Sequence, residues 1–209
     1  MTTGAAEMTT NCPIAEFWIL SEATLERGHK VYDAYPVDFR EQARAWLGVT
    51  DDPLLHVCAG RERESPYPRS GSADTTLDVD STHEPNVVQD VRLPFPLGCL
   101  SCCEPWGAIL IDDLPDTPED AARSAPGAAA WPSPDHLIRS ALAVLRPGGR
   151  VGILHDLRLH APTLLPQLPT GVRFVATVAV CGDSDNRRVL SVFEALEPTE
   201  SYVGQPAVR

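Results

Sequence analysis

Six residues near the middle of the chain, Gly107-Ala-Ile-Leu-Ile-Asp112, form an almost unbroken apolar run that ends on an acid. A strand with one wet face alternates apolar and polar residues; a run without alternation fits a strand buried on both faces of a parallel sheet. Such a sheet needs crossover connections, which commits the chain to an α/β architecture.

Other segments supply the rest of the sheet. Leu54-Leu-His-Val57, Thr75-Thr-Leu-Asp-Val-Asp80 and Asn86-Val-Val-Gln-Asp90 read as strands ahead of the apolar run, and Arg150-Val-Gly-Ile-Leu-His155 as one behind it. Val172–Val180 and Arg188–Leu196 read as two strands joined by Cys-Gly-Asp-Ser-Asp-Asn, a hairpin signal. Residues 15–47 read as helical, with Phe39, Ala43, Trp46 and Leu47 on one face and Gly48 as the stop. Ser133-Pro134 opens a second helix, whose residues Leu137, Ile138, Ala141 and Leu145 share a face, and Arg146-Pro-Gly-Gly149 ends it. The expectation is a mostly parallel, Rossmann-like sheet of about seven strands with a C-terminal antiparallel hairpin and N-terminal helices. Residues 1–12 are expected to be a mobile start, 13–48 a helical segment, 49–198 the ligand-binding domain and 199–209 a tail.

The chain has 209 residues, enough for one domain with a substantial core. Its 20 prolines, many beside Gly, Ser and Ala, predict long irregular connections. A net charge of −12 disfavours nucleic acid as a partner, because Lys and Arg normally gather along a phosphate backbone. No leader-like or membrane-spanning stretch stands out, so a cytoplasmic protein without membrane contact is expected. The six cysteines are expected to be thiols in that compartment. Cys99, Cys102 and Cys103 form a C-x-x-C-C cluster, but zinc would need a second tight pair of ligands, so no metal is expected.

Five segments, in order, resemble the class I S-adenosylmethionine-dependent methyltransferases over about residues 54–196. Leu54-Leu-His-Val-Cys-Ala-Gly60 is similar to the first strand and glycine loop, with His56 at the usual acid position, Cys58 at the first glycine position, and Ala59 and Gly60 completing the turn. Leu77-Asp-Val-Asp80 offers Asp80, 20 residues after Gly60, and Asp78 on the same strand face, as acceptors for ribose hydroxyls. Asp90-Val-Arg-Leu-Pro-Phe-Pro96 resembles the D-x-x-x-L-P-F stretch, which implies Asp90 and Val91 beside the adenine amino group. Ile109-Leu-Ile-Asp112 resembles the strand whose end faces the reacting methyl. The segment Ala143-Val-Leu-Arg-Pro-Gly-Gly resembles the turn before the fifth strand.

The resemblance implies S-adenosyl-L-methionine as cofactor and methyl transfer as activity, on a trimmed version of the fold. Arg61–Ser72 is poor in helical pattern and Ser81–Asn86 too short where the family has helices, so the N-terminal helices with their aromatics could cover the exposed sheet face or the cofactor instead. Enzymes methylating amino groups of bases or of protein glutamine carry [DNS]-P-P-[YFW] after the fourth strand. Asp113-Leu-Pro-Asp116 keeps the acid and one proline without the stacking aromatic, which favours a small-molecule acceptor over a nucleobase. His155, at the end of the fifth strand, is the candidate base and Asp113 the second catalytic candidate, while a structural histidine remains the alternative. Trp131, Tyr35 and Trp18 are candidate substrate contacts, Trp131 alternatively anchoring its own loop. A non-catalytic methyltransferase-like interaction module stays open. A nucleotide-dependent oxidoreductase would want the intact G-x-G-x-x-G, which is absent.

Overall fold

The computed structural model describes residues 14–19, 39–50, 52–59, 74–112, 134–156, 171–181 and 187–196. Eight strands form one sheet: β1 (Ile14–Ile19), β2 (Leu54–Val57), β3 (Thr75–Asp78), β4 (Val87–Val88), β5 (Trp106–Ile111), β6 (Leu145–Asp156), β7 (Val172–Cys181) and β8 (Arg187–Ala195). Their spatial order is β1-β7-β8-β6-β5-β2-β3-β4. Every pairing is parallel except the two that β8 makes with β6 and β7, so β8 alone runs against the rest. The Rossmann-like sheet and the antiparallel hairpin are thus as expected. The hairpin's return strand, β8, wedges between β6 and β7 instead of standing at the edge.

Among the described residues, two α-helices pack on opposite faces. Helix α1 (Phe39–Leu47) buries Phe39, Ala43 and Leu47 against Leu54, Leu110, Leu154 and Leu190. Helix α2 (Pro134–Leu142) buries Leu137, Ile138 and Ala141 against Leu55, Ile109, Ile111 and Ile153. Alternate residues of β5 serve the two faces, and all six are buried. This is the physical meaning of its uninterrupted apolar run. Full burial of each large side chain contributes about 1.5–3 kcal/mol.

Two local readings are corrected. Residues 15–47 are not helical throughout: Ile14–Ile19 is a strand on the outer edge of β7, and among the described residues of that span the helix is Phe39–Leu47, with 20–38 lying outside the described residues. Trp46, half-buried, packs against the same cluster as Phe39, Ala43 and Leu47, and its ring nitrogen donates to Glu16 Oε2 at 2.7 Å and ties α1 to β1. Arg146-Pro-Gly-Gly149 likewise lies inside β6, where the β5 register shifts, and Leu145 belongs to that strand rather than to the helix face. Proline is tolerated in a strand at such an irregularity. Gly148 has φ +73°, and a Cβ on Gly149 would stand 2.8 Å from the carbonyl oxygen of Arg146.

Arg44 closes the amino edge of the sheet. It is buried, holds both oxygens of Asp74 at 2.9 Å, and donates to the carbonyls of Thr50 and Asp52 at 3.2 and 2.6 Å. Asp74 also accepts the Leu54 amide at 3.0 Å. Among the described residues no helix is long and apolar enough to cross a membrane.

Candidate functional site

From β2 the chain steps outward through β3 and β4, then returns to place β5 on the other side of β2. The strand order therefore reverses between β2 and β5, and ligands of open α/β sheets gather at the carboxyl ends beside such a reversal. Val57 is in register with both Leu77 and Ile111, so the residues following these strands come out level. Three hydrogen bonds extend the ladder past the strand ends: Ala59 N to Leu77 O at 3.3 Å, Asp112 N to Val57 O at 3.0 Å, and Gln89 N to Asp78 O at 2.9 Å. Cys58, Ala59, Asp78, Gln89, Asp90 and Asp112 are thereby brought to one rim.

Cys58 stands where a glycine loop would have its first glycine, and its backbone takes φ 57°. The left-handed turn survives although the residue suited to it does not, at a cost of about 1–2 kcal/mol. Ala59 behind it is buried. His56 is also buried, within β2 and level with Thr76 and Leu110, one residue before Val57 at the strand's end.

The acid that ends β3 and the one two residues beyond it have different jobs. Asp78, the last strand residue, is buried, and its Oδ1 accepts the Asp80 amide at 2.8 Å. Asp80 caps the 3-10 turn Ser81–His83, accepting the Thr82 amide at 2.8 Å and the Thr82 hydroxyl at 2.7 Å. His83 sits between them, Nδ1 3.6 Å from Asp78 Oδ2 and Nε2 3.7 Å from Asp80 Oδ2. Sequence spacing gave no hint of His83, because only the tight turn at Asp80 swings it back.

Asp90 is clamped by Arg92, whose Nε lies 2.9 and 2.8 Å from its two oxygens and whose backbone amide donates at 2.8 Å. This Arg92 hydrogen bonding holds the Asp90 carboxyl below the usual carboxylate range despite opposition from partial burial. Asp90 also stands one residue nearer Leu93 than the D-x-x-x-L-P-F pattern requires, and the residue at the pattern's spacing is Gln89. Gln89 Nε2 donates to Pro94 O at 2.9 Å, which turns the amide oxygen away from that contact. Val91 is buried in the same hydrophobic cluster as Leu77 and Phe95.

Asp112 is buried beyond β5, with Oδ1 3.7 Å from Arg188 Nη1 of β8. His155 is buried too, its Nε2 3.0 Å from Ser191 Oγ across the β6–β8 pair. By the β5–β6 register it stands one residue beyond the level of Asp112, at the carboxyl end of β6 and beside β8. Asp113, Gly60, Trp131 and Tyr35 lie outside the described residues, as does the side chain of Trp18, whose backbone pairs with Val180.

A nucleoside fits the β2–β3–β4 part of the rim by donor set. Ribose hydroxyls and an adenine amino group are donors, and Asp78 and the Gln89 amide oxygen are acceptors. Asp90, occupied by Arg92, does not fit that role in this arrangement.

No protein-family model matches the chain, and no curated protein matches it by sequence. Solved structures do match. TrmN from Thermus thermophilus superposes with a TM-score of 0.50 at 21% identity, covering 74% of this chain and 48% of TrmN, so the chain spans about half of that protein. The N-methyltransferase NodS from Bradyrhizobium japonicum WM9 also gives 0.50, at 16% identity, covering 77% of this chain and 98% of NodS. At such identities the likeness is one of fold. The chain has the Rossmann-like fold of the class I S-adenosylmethionine-dependent methyltransferases.

Proposed function

We propose that the protein binds S-adenosyl-L-methionine at the β2–β5 reversal and transfers its methyl group to a small molecule. The observation that carries this reading is the level rim at the carboxyl ends of β2, β3 and β5, where a left-handed turn at Cys58 meets the buried carboxylate of Asp78. Asp78, rather than Asp80, is the ribose acceptor in this reading, because Asp80 already caps the 3-10 turn. Gln89 takes the adenine amino group in place of Asp90.

When bound, the cofactor supplies a methyl group on a positively charged sulfur, ready for in-line displacement. The protein's share is alignment and exclusion of water, which can lower such a barrier by several kcal/mol. Asp78 and Asp112 add negative charge to the rim, complementary to a sulfonium. His155, hydrogen-bonded to Ser191, stays the candidate base of this reading, with Asp113, next in sequence to Asp112, as the second catalytic candidate. A small-molecule acceptor is supported by the net charge of −12. A nucleobase acceptor draws support only from Asp113 and Pro115 of the eroded motif.

Calorimetric titration with S-adenosylhomocysteine tests the reading. Micromolar binding is expected, with Asp78→Asn weakening it about 10- to 100-fold, the worth of a hydrogen bond to a charged group. Asp80→Ala should cost roughly 1 kcal/mol of stability as a lost cap while leaving affinity within a few-fold. Absence of heat from the folded wild-type protein would overturn the cofactor site and leave an interaction module on a methyltransferase fold.

A further inference from the structure

At the opposite, amino edge of the sheet, the segment leading into β5 folds into a closed loop. The Cys99 amide donates to Glu104 O at 2.9 Å, and the Cys103 amide to Cys99 O at 2.8 Å. Gly98 lets the loop shut, since a Cβ there would stand 2.5 Å from the Glu104 carbonyl oxygen. Cys99 points inward, 3% exposed, into the cluster that holds Phe95 and Trp106. Cys102 and Cys103 are exposed free thiols.

The Cys99 sulfur has close polar neighbours. It lies 2.9 Å from Ser101 Oγ and accepts the Ser101 amide at 3.4 Å. Burial works to raise the Cys99 thiol, but hydrogen bonds from Ser101 and Cys102, side chain and backbone alike, outweigh it and bring the thiol below its ordinary value. For exposed Cys102, the Glu104 backbone hydrogen bond pulls down, while the hydrogen bond to Cys99 and the nearby negative charges outweigh it and hold the thiol up. A loop closed between residues 99 and 103 brings the Cα atoms of residues 99 and 102 within about 7 Å, compatible with the roughly 4.4–6.8 Å of a disulfide.

We propose that Cys99 and Cys102 are a redox-active dithiol, closed to an intramolecular disulfide by exchange with a low-molecular-weight disulfide such as oxidised glutathione. Cys102 reacts first because it is exposed, Cys99 being the more acidic thiol but shielded: on losing its proton to solvent, Cys102 attacks one sulfur of glutathione disulfide, forming a mixed disulfide and releasing one glutathione thiolate. Buried Cys99 then attacks Cys102 Sγ, breaking the mixed disulfide and releasing the second glutathione. The two cysteines lose two electrons and two protons, and glutathione disulfide becomes two thiols. The donors around Cys99 favour the attacking thiolate, and its burial keeps it from solution oxidants. The loop lies at the edge away from Asp78 and Asp112, so the proposal is independent of the methyltransferase reading.

The test uses the full chain equilibrated in glutathione buffers of rising oxidised fraction, quenched in acid, alkylated and digested with trypsin. Residues 93–123 emerge as one peptide, because no Lys or Arg lies between Arg92 and Arg123. The expected peptide is lighter than its reduced form by two hydrogen atoms before alkylation and carries one alkyl group, on Cys103. Cys99→Ser should leave glutathione trapped on Cys102, and the exposed Cys102→Ser change should leave Cys99 a thiol. Three alkylated cysteines at every buffer ratio, a link through Cys103, or persistent glutathione on wild-type Cys102 would overturn the proposal. Affinity for S-adenosylhomocysteine should be the same in both redox forms.

Discussion

Cys58 shows how a position can keep its conformation after losing the residue made for it. The left-handed backbone, φ 57°, disfavours any side chain with a Cβ and most disfavours a branched one. Cys58→Gly should therefore be neutral or stabilising by up to about 1 kcal/mol, the strain relief offsetting lost packing, whereas Cys58→Val should lower stability by about 1–3 kcal/mol. Urea titration of the two variants beside the wild type checks the sign in each case. The same rim shows what sequence can and cannot tell at this scale. Acids near the strand ends were legible, but which acid is left for a ligand was not. Alternation would put Asp78 and Asp80 on one strand face, but the strand ends at Asp78 and the 3-10 turn commits Asp80 to capping. Likewise, Asp90 is an adenine partner by its surroundings in sequence and an arginine partner in space.

At the scale of elements, the β6–β8–β7 ribbon is tied across by Glu194, which accepts from Arg150 Nε at 3.0 Å and Arg173 Nη2 at 2.7 Å. The hydrogen bond from Arg173 comes first in holding the Glu194 carboxyl below its ordinary value, with partial burial opposing and Arg150 assisting. A depressed folded-state value means this stabilisation is fully present above about pH 4.5 and is lost as pH falls through the folded value. Glu194→Gln should flatten the acid side of a Tm-versus-pH curve and lower Tm at neutral pH. An unchanged acid slope would show that the ribbon does not depend on this carboxylate. Strands such as Trp106–Ile111 were legible because burial on both faces leaves an unbroken apolar signature. Ile14–Ile19 was not, since its partner is Val172–Cys181 at the far end of the chain and its own pattern does not alternate. The extension of β6 through Pro147 and Gly149 also escaped, because a register shift, invisible in sequence, accommodates residues that normally end strands.

For the molecule as a whole, the buried Arg44–Asp74 pair joins α1 to the starts of β2 and β3. Asp74→Ala would strand a guanidinium with 3% exposure, and unfolding free energy should fall by about 3–5 kcal/mol. A double change that removes both charges, Arg44→Met with Asp74→Ala, should recover part of the loss, and denaturant melts of the three forms measure the difference. The outer position of β1 bears on how this architecture is reached in time. Its hydrogen-bonding partners, such as Thr177 and Val180, are synthesised long after it, so a strand made early must wait for a berth made late. Contacts so distant along the chain are among the slowest to form. Until β7 arrives, the Ile14–Ile19 segment is an unpaired β-former, and the nascent protein is most exposed to mispairing with other copies of itself during that interval.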